Sequence, residues 1–464
     1  MHVQVISLLN RHHTRIREDT KGNMTQNTVS RGMRVFVIVW LGQLISLIGS
    51  GLTSFALGLW VYQHTGSVTQ FAFIGLFMVL PNVVLSPLAG ALVDRWDRRS
   101  VMILSDAGAG LCTLIMAFLF LTNRIEVWQV YLAAGASAAF GTFQWPAYSA
   151  AMTLLVPKKH LGRANGMVQF GQAAAEILAP ALAGVLVLTI RVQGILLIDF
   201  VTFFFAVTTL LFVRFPRPET TAGQTRRGSL WREASYGWRF ITARRGLLGL
   251  LVFFAVVKFL WGMVGALIAP MILGFTSADV LGIIISVAGG GMLVGSLVMS
   301  AWGGPKRRID GVLRFELLSG LCFLLIGLRP SAWLVALGAF GAHLTIAIIY
   351  GSNQAIWQSK VSPHVQGRVF ATQQMIAKST TPLAYLVAGP IADRLFEPLL
   401  ASDGSVVGGI GHIIGVGPGR GIGLLFIAMG ILKVVVSLGG YLYPRIRLVE
   451  DELPDAIADE PNSG

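Results

Sequence analysis

Charged residues are scarce in this chain. Asp, Glu, Lys and Arg make up 12% of its 464 residues and hydrophobic residues make up 54%, whereas soluble domains have about 25% charged residues. The mean hydropathy is +0.69. Cysteine is rarer still: Cys112 and Cys322 lie far apart, each within an apolar run, and two such thiols predict packing residues, with no disulfide framework and no metal site. The composition predicts a polytopic membrane protein.

Several familiar signals are also missing. The sequence contains no His-Glu-x-x-His, no Gly-x-Ser-x-Gly and no paired aspartates within its apolar runs, so we expect neither an enzyme nor a bound cofactor or metal. Residues 1–31 are polar and basic without a cleavable signal pattern, and the first apolar run is expected to direct insertion. The formal net charge is +14, but the basic residues recur at the ends of apolar runs. We therefore expect no nucleic-acid partner.

Apolar runs long enough to cross a bilayer recur along the whole chain. Twelve are present, at about 33–60, 71–92, 101–121, 127–152, 164–190, 195–213, 247–274, 280–302, 312–328, 332–356, 370–393 and 421–443. An even number of spans places both termini on one side of the membrane. Lys and Arg are concentrated in the connections on that same side, so the sequence predicts a protein of the cell membrane with both termini in the cytoplasm.

The chain divides at a basic, polar linker. We expect a cytoplasmic tail at 1–32, a six-helix bundle at 33–214, the linker at 215–246, a second bundle at 247–444 and an acidic cytoplasmic tail at 445–464 that is disordered from Glu450 onward. Aromatic residues among the linker arginines favour a short amphipathic helix at the membrane surface, and a disordered tether is the alternative. Residues 156–163 and 361–368 share Val, Gly and Arg at one offset. Such six-plus-six repeats indicate a two-bundle transporter.

A dense charge cluster follows the second run. Residues 90–99 read GALVDRWDRR, with later segments GRANG at 162–166, APALAG at 179–184 and GRV at 367–369. Together these segments resemble the major facilitator superfamily, and most closely its efflux branch with the macrolide and enterobactin exporters. The resemblance implies an all-α membrane protein of twelve transmembrane helices in two pseudo-symmetric six-helix bundles. It also implies alternating access driven by a proton gradient.

The resemblance assigns a gating role to the loop after the second helix. The residues that match its motif are Gly90, Asp94, Arg95, Arg98 and Arg99. Asp97 replaces a glycine that usually makes the bend there. Lys378, in the eleventh run, would pair with Asp94 if helices 2 and 11 abut as they do in the family. The alternative is that these basic residues only hold the loop in the cytoplasm.

Ionisable side chains within spans cost about 2.5–3.5 kcal/mol each and need an explanation. Counting residues from flanking charges places Glu176, His343 and Lys258 near the bilayer centre, and Asp106 and Asp199 at shallower depths. Glu176 is the first candidate for proton coupling, against a neutral, hydrogen-bonded glutamic acid. His343 is a second candidate, against a packed histidine. Lys258 would attract an anionic substrate or pair with Glu176, against a lysine that snorkels.

Polar and aromatic residues mark one face of several runs, and the resemblance implies that these helices line the substrate cavity. The candidates are Gln43, Ser46, Gln144, Trp145, Tyr148, Lys258, Trp261, Tyr350, Asn353 and Gln354. Helix-packing polar pairs are the alternative for part of this set. A cavity with aromatic rings and few fixed charges suits a hydrophobic or amphipathic molecule better than a sugar.

The sequence therefore predicts a secondary active transporter, a monomer in the lipid bilayer. We expect it to exchange protons for a small hydrophobic or amphipathic substrate, such as a drug, siderophore or secreted peptide, by alternating access. Movement of a lipid or lysolipid is one alternative. A membrane receptor or scaffold that does not transport is an alternative of another class.

Overall fold

The structure is a computed structural model that describes residues 2–93, 96–156, 161–213, 230–361, 363–401 and 411–452, with most side chains described from residue 32 onward. Every regular element in these ranges is a helix. The helices are α1 (His2–Thr65), α2 (Val68–Val93), α3 (Arg98–Leu121), α4 (Val127–Leu155), α5 (Leu161–Thr189), α6 (Arg191–Phe212), α7 (Leu230–Thr242), α8 (Arg245–Leu273), α9 (Ala278–Trp302), α10 (Arg308–Leu328), α11 (Ala332–Lys360), α12 (Pro363–Ile391), a π-helical turn (Ala392–Phe396), α13 (Glu397–Leu399), α14 (Gly411–Ile414), α15 (Arg420–Leu442), α16 (Pro444–Arg447) and α17 (Val449–Glu452).

Twelve of the described helices have 21 residues or more, namely α1–α6, α8–α12 and α15. Their positions match the twelve predicted runs. Ten of the twelve are apolar enough over their described residues to cross a membrane by length and composition, and α4 and α12 are the other two. The predicted fold class is confirmed. The exact domain limits stay a prediction.

The first helix extends beyond the first apolar run at its N-terminal end. It begins at His2, whereas that run begins near residue 33. Residues 2–31 contain one glycine and no proline, so no helix-breaking residue separates this segment from the first apolar run.

The start of the acidic tail is ordered, which the composition did not predict. The Glu450 carboxylate accepts a hydrogen bond of 2.8 Å from the backbone N–H of Ile309, in the first turn of α10. Asp451 and Glu452 form ion pairs with Arg307 at 2.6 Å and Arg445 at 3.0 Å. The acids are therefore held by a helix N-terminus and by basic residues at the membrane edge. Residues 453–464 lie outside the described residues.

The helices pack as two groups of six. In the first, α1 lies against α5 and α6, α3 lies against α4 and α6, and α2 lies against α4. In the second, α10 lies against α11 and α15, α9 lies against α11, and α8 lies against α12. The linker contributes α7, which packs on α12 with Ile241 fully buried and Tyr236 and Trp238 exposed. This is the amphipathic helix that the linker aromatics predicted. Residues 214–229 lie outside the described residues.

The two bundles meet tightly at one end, where α2 contacts α8 and α12 and α5 contacts α9. We call it the closed end. There the Asp393 carboxylate accepts hydrogen bonds from the backbone N–H groups of Val68 at 3.1 Å and Thr69 at 2.8 Å, and from the Ser67 hydroxyl at 2.9 Å. A carboxylate of one bundle thus caps the N-terminus of a helix in the other.

The α5–α9 contact at the closed end depends on small residues. The Ser286 hydroxyl donates to the backbone carbonyl of Ile177 at 2.6 Å. A Cβ atom added to Gly184 would lie 2.7 Å from the carbonyl oxygen of Ala278, and one added to Gly282 would collide with the carbonyl of Pro180. Gly184 ends the segment APALAG, so that segment allows the backbones of the two bundles to touch.

Candidate transport cavity

A cavity of about 460 Å³ lies within the first bundle, and all of its lining residues belong to α1–α6. Apolar and aromatic side chains make up about half of the lining, and hydroxyl, amide and carboxyl groups make up most of the rest. Five of the predicted cavity residues line it, which are Gln43, Ser46, Gln144, Trp145 and Tyr148. The volume lies in the range of sites for drug-sized ligands, about 300–1,000 Å³.

A polar network closes one part of this cavity around Asp106 of α3. The Asp106 carboxylate accepts from the side-chain amide of Gln43 at 2.8 Å and from that of Gln144 at 3.0 Å. The Gln144 amide also donates to the side-chain oxygen of Gln43 at 2.8 Å. Asp106 is only 5% exposed. The network joins α1, α3 and α4, and it explains why two glutamines lie on otherwise apolar helices.

A second buried carboxyl, Asp199 of α6, lines the same cavity and is 1% exposed. The hydroxyls of Thr113 and Thr202 lie 3.3 Å and 3.4 Å from its two carboxylate oxygens. Gly49 of α1 lies against it, because an added Cβ atom would approach Asp199 Oδ1 to 2.8 Å. The partners of Asp199 are therefore hydroxyl groups, whereas those of Asp106 are amides.

The predicted cavity residues of the second bundle lie apart from this cavity. Lys258 sits 4.3 Å from the centroid of the Tyr350 ring, a cation–π contact. Asn353 accepts a hydrogen bond of 3.1 Å from the indole of Trp357, and both residues are buried. Gln354 is half-buried. Pairing of Lys258 with Glu176 is not among the ion pairs of the described residues, because Lys258 is turned toward Tyr350.

An ion pair lies deep in the second bundle. Lys433 Nζ is 2.8 Å from Glu316 Oε2, and both side chains are at most 1% exposed. The ammonium also donates to the Ser319 hydroxyl at 2.8 Å and lies 5.1 Å from the ring of Trp261. His343 packs its ring on the same Trp261 at 5.1 Å and contacts the carbonyl of Ala339 through Nδ1 at 2.9 Å. These contacts fit the packed histidine, and a role of His343 in proton coupling stays a prediction.

Glu176 of α5 is exposed, and the geometry of α5 shows where it points. Leu178, Leu182 and Val185 form the exposed apolar face, and Glu176 lies roughly 150° around the helix from it. Residues on either side of Glu176 contact the two bundles, Ala179 toward α1 and Ile177 toward α9. Glu176 therefore faces the space between the bundles, away from the lipid, without a hydrogen-bond or ion-pair partner among the described residues.

The loop after α2 is described only in part. Asp94 and Arg95 lie outside the described residues, and Gly90 is in the last turn of α2. Asp97 is the N-cap of α3, where its carboxylate accepts from the backbone N–H of Ser100 at 2.9 Å. Aspartate is a preferred N-cap residue, which accounts for the replacement of the usual glycine.

Two arginines that follow the cap begin α3. Arg99 donates to the carbonyls of Leu210 at 2.8 Å and Leu211 at 2.7 Å, so it caps the C-terminus of α6 within the same bundle. Arg98 is half-buried and Lys378 is exposed. The predicted pairing of Lys378 with Asp94 stays a prediction.

Three buried acids were overlooked or ranked low by sequence reasoning. Asp106 and Asp199 were judged too shallow, and Glu316 was not singled out. The sequence feature that could have identified these acids was a carboxylate inside an apolar run, together with a polar residue in another run as its partner. The partners are 63 residues away for Gln43 and Asp106 and 86 for Thr113 and Asp199, so no local spacing shows them.

The fold and cavity define a class: a multi-pass membrane transporter built from two six-helix bundles. A family model described as the Major Facilitator Superfamily matches residues 39–385. The chain belongs to that superfamily, and the resemblance stated from its motifs is confirmed.

The relatives include efflux pumps. The chain is 28% identical over 369 residues to macrolide efflux protein A of Streptococcus pyogenes, which covers 78% of this chain and 90% of the relative. It is 24% identical over 370 residues to the multidrug efflux pump Tap of Mycobacterium tuberculosis, which covers 77% and 86%.

Solved structures share the fold at low sequence identity. A bacterial homologue of the human lysosomal transporter Spinster, in an inward-facing and unoccupied conformation, matches with a TM-score of 0.69 and 14% identity over 91% of this chain and 98% of that chain. The nucleoside transporter NupG matches with a TM-score of 0.65 and 10% identity over 88% and 99%. These likenesses bear on the fold alone.

Proposed function

We propose that the protein exports a hydrophobic or amphipathic small molecule from the cell in exchange for protons. The observation that carries this proposal is the cavity of about 460 Å³ inside the first bundle, whose walls combine apolar and aromatic side chains with hydroxyl, amide and carboxyl groups. Such walls match a drug-sized amphipathic molecule. The similarity to pumps for macrolides and for several drugs supports export as the direction.

We propose alternating access as the mechanism. The capping of α2 by Asp393 and the backbone contact of α5 with α9 hold the bundles together at the closed end. The loop between α2 and α3 lies at the opposite end, and its basic residues favour a cytoplasmic position for that end. The closed end would then face outward, in a state that can accept substrate from the cytoplasm. Both termini would be cytoplasmic in the cell membrane, and the working unit would be a monomer.

A resistance and accumulation screen tests the export proposal. Cells that lack their own pumps would express the chain and be exposed to macrolides such as erythromycin and to fluorescent amphipathic dyes, with and without an uncoupler. We expect lower accumulation of at least one compound, and we expect the uncoupler to abolish the difference. Equal accumulation in expressing and empty cells across the panel would contradict export and favour the non-transporting receptor.

Glu176→Gln tests the proton-coupling role of Glu176. The residue faces the space between the bundles without a partner, so its carboxyl is free to gain and lose a proton there. We expect the variant to reach normal membrane levels and to lose most of its uncoupler-sensitive efflux, roughly 10-fold or more. Glu126→Gln, at the exposed N-cap of α4, is the matched control. Unchanged efflux by Glu176→Gln across a pH series would exclude Glu176.

A further inference from the structure

The cavity of the first bundle contains two carboxyl groups that the proposed mechanism has not used. Asp106 and Asp199 lie on α3 and α6, are 5% and 1% exposed, and face the same cavity. No lysine, arginine or histidine is among the described residues that line that cavity. The other titratable lining residues are Cys112 of α3 and Tyr148 of α4, and α1, α2 and α5 contribute none.

Neither carboxyl has a cationic partner among the described residues. Asp106 is held by two side-chain amides, and the carboxylate oxygens of Asp199 are held by hydroxyl groups. An ionised carboxylate buried without a counter-charge is so unfavourable that it binds a proton or a cation instead. The third buried acid among the described residues, Glu316, has Lys433 as its counter-charge. The two cavity aspartates lack such a counter-charge, so each needs a bound proton or cation.

The surroundings favour a proton over a metal cation. Hard cations need several oxygen ligands, and the described residues contain no group of three or more His, Cys, Asp or Glu side chains able to hold a metal. Both Asp106 oxygens face amide N–H groups, which a cation repels. The hydroxyls at Asp199 can accept a hydrogen bond as well as donate one, so they suit both the acid and the carboxylate.

The two aspartates are arranged along the membrane normal. Thr113, which contacts Asp199, follows Asp106 by seven residues on the same face of α3, a rise of about 10 Å. Asp106 is near the end of α3 that starts from the charged loop, and Asp199 is near the start of α6 at the closed end. The cavity between them carries the hydroxyls of Ser46 and Ser50 and has room for several water molecules.

We infer that Asp106 and Asp199 form a proton-carrying pair inside the first bundle, with Gln43 and Gln144 as positioning residues for Asp106. Each carboxylate binds one proton and releases one, and transfer between them breaks an O–H bond at one acid and forms one at the other through cavity water. This inference deepens the proposed proton-coupled export and rests on it for the role of the protons. It also separates this site from Glu176, which faces the space between the bundles.

Infrared difference spectroscopy tests proton binding without any substrate. Purified protein in lipid nanodiscs would be compared between acidic and alkaline pH, where a protonated carboxyl gives a carbonyl stretching band that disappears on ionisation. We expect wild-type protein to show carbonyl bands at acidic pH that disappear at alkaline pH. Each of Asp106→Asn and Asp199→Asn should lack one of these bands at acidic pH, and Glu126→Gln should show them all. Spectra of both aspartate variants that match wild type would overturn the inference.

A transport measurement tests whether those protons drive export. Liposomes containing the protein would be assayed for erythromycin uptake driven by a pH gradient and, separately, for exchange of labelled against unlabelled erythromycin at equal pH. We expect Asp106→Asn and Asp199→Asn to lower gradient-driven uptake by about 10-fold or more relative to the exchange rate of the same variant. Retained exchange also shows that the variants fold.

The controls separate the two proposals. If wild-type protein exchanges erythromycin but ignores the pH gradient, proton-coupled export fails. If wild type responds to the gradient and both aspartate variants respond equally, only the inference about the aspartates fails. Gln43→Leu should weaken the pH response of Asp106 in the infrared assay and leave the Asp199 band in place. An Asp106 band in Gln43→Leu that responds to pH as in wild type would contradict the positioning role of Gln43.

Discussion

Buried charge in this protein follows two patterns. Lys433 and Glu316 in the second bundle neutralise each other across 2.8 Å, and they are further surrounded by Ser319 and aromatic rings. Asp106 and Asp199 in the first bundle have only neutral partners. A carboxylate paired with an ammonium group is stabilised in its ionised form and does not readily bind a proton. A carboxyl group without such a partner can take up and release a proton. The pairing therefore separates a structural acid from two acids with a proposed function.

The buried ion pair of Lys433 and Glu316 contributes to the stability of the second bundle. Lys433→Met leaves the Glu316 carboxylate buried without its counter-charge, and breaking a buried pair in this way costs about 3–5 kcal/mol. We expect a clear drop in the midpoint of thermal unfolding in detergent. The double variant Lys433→Met with Glu316→Gln should recover most of that loss, because no charge is left unpaired.

Lys306→Met is the matched control for this prediction, since Lys306 is exposed in the connection between α9 and α10. We expect its unfolding midpoint to stay near that of wild type. Unfolding of Lys433→Met at the wild-type temperature would show that the pair contributes nothing to stability.

At the scale of elements, the contact between α5 and α9 determines whether the closed end can form. Pro180 and Gly184 let the two backbones meet. The sequence singled out this segment only through its resemblance to the family. It could not identify α9 as the partner, because Ala278 and Gly282 lie about a hundred residues away with no spacing signal of their own.

Gly184→Ala tests this contact. The new methyl group would lie 2.7 Å from the backbone carbonyl oxygen of Ala278, and since a backbone atom cannot move aside cheaply, the closed end should separate. We expect spin labels on the closed-end loops of the two bundles to show a shift toward longer distances. Because the closed end no longer forms fully, transport of any exported compound should also decrease.

Gly290→Ala, on α9 itself, is the matched control because an added Cβ atom there meets nothing within 4 Å. Its label distances should match those of wild type. A distance distribution in Gly184→Ala that equals the control would mean that the closed end does not depend on this contact.

The helix caps formed by Asp97 and Asp393 also show which contacts the sequence could not predict. In the sequence, Asp97 stands where the family usually has a glycine, and the structure makes that residue the N-cap of α3. The cap of α2 by Asp393 joins residues 324 to 326 positions apart, and nothing near Asp393 in the sequence indicates it. Local chemistry accounts for the cap at the start of α3, whereas the cap between bundles depends on tertiary packing.

For the whole molecule, the twelve helices and the two groups of six could be predicted because the bilayer imposes span length and backbone satisfaction on every segment. The ordered start of the tail was missed because it depends on contacts of Glu450 and Asp451 with distant groups. The predicted cavity residues came from both bundles, and those that line the described cavity of about 460 Å³ belong to the first bundle. Which side chains meet in three dimensions is set by tertiary packing, which residue spacing does not contain.

Proton-coupled flux is the central claim, and one measurement addresses it directly. Purified protein in liposomes with an acidic interior would be given labelled erythromycin outside, with protein-free liposomes to correct for passive trapping. Exit of protons down their gradient should drive uptake above that correction, and an uncoupler should abolish it. Uptake that is equal with and without the protein, or that persists after the gradient has collapsed, would contradict the account.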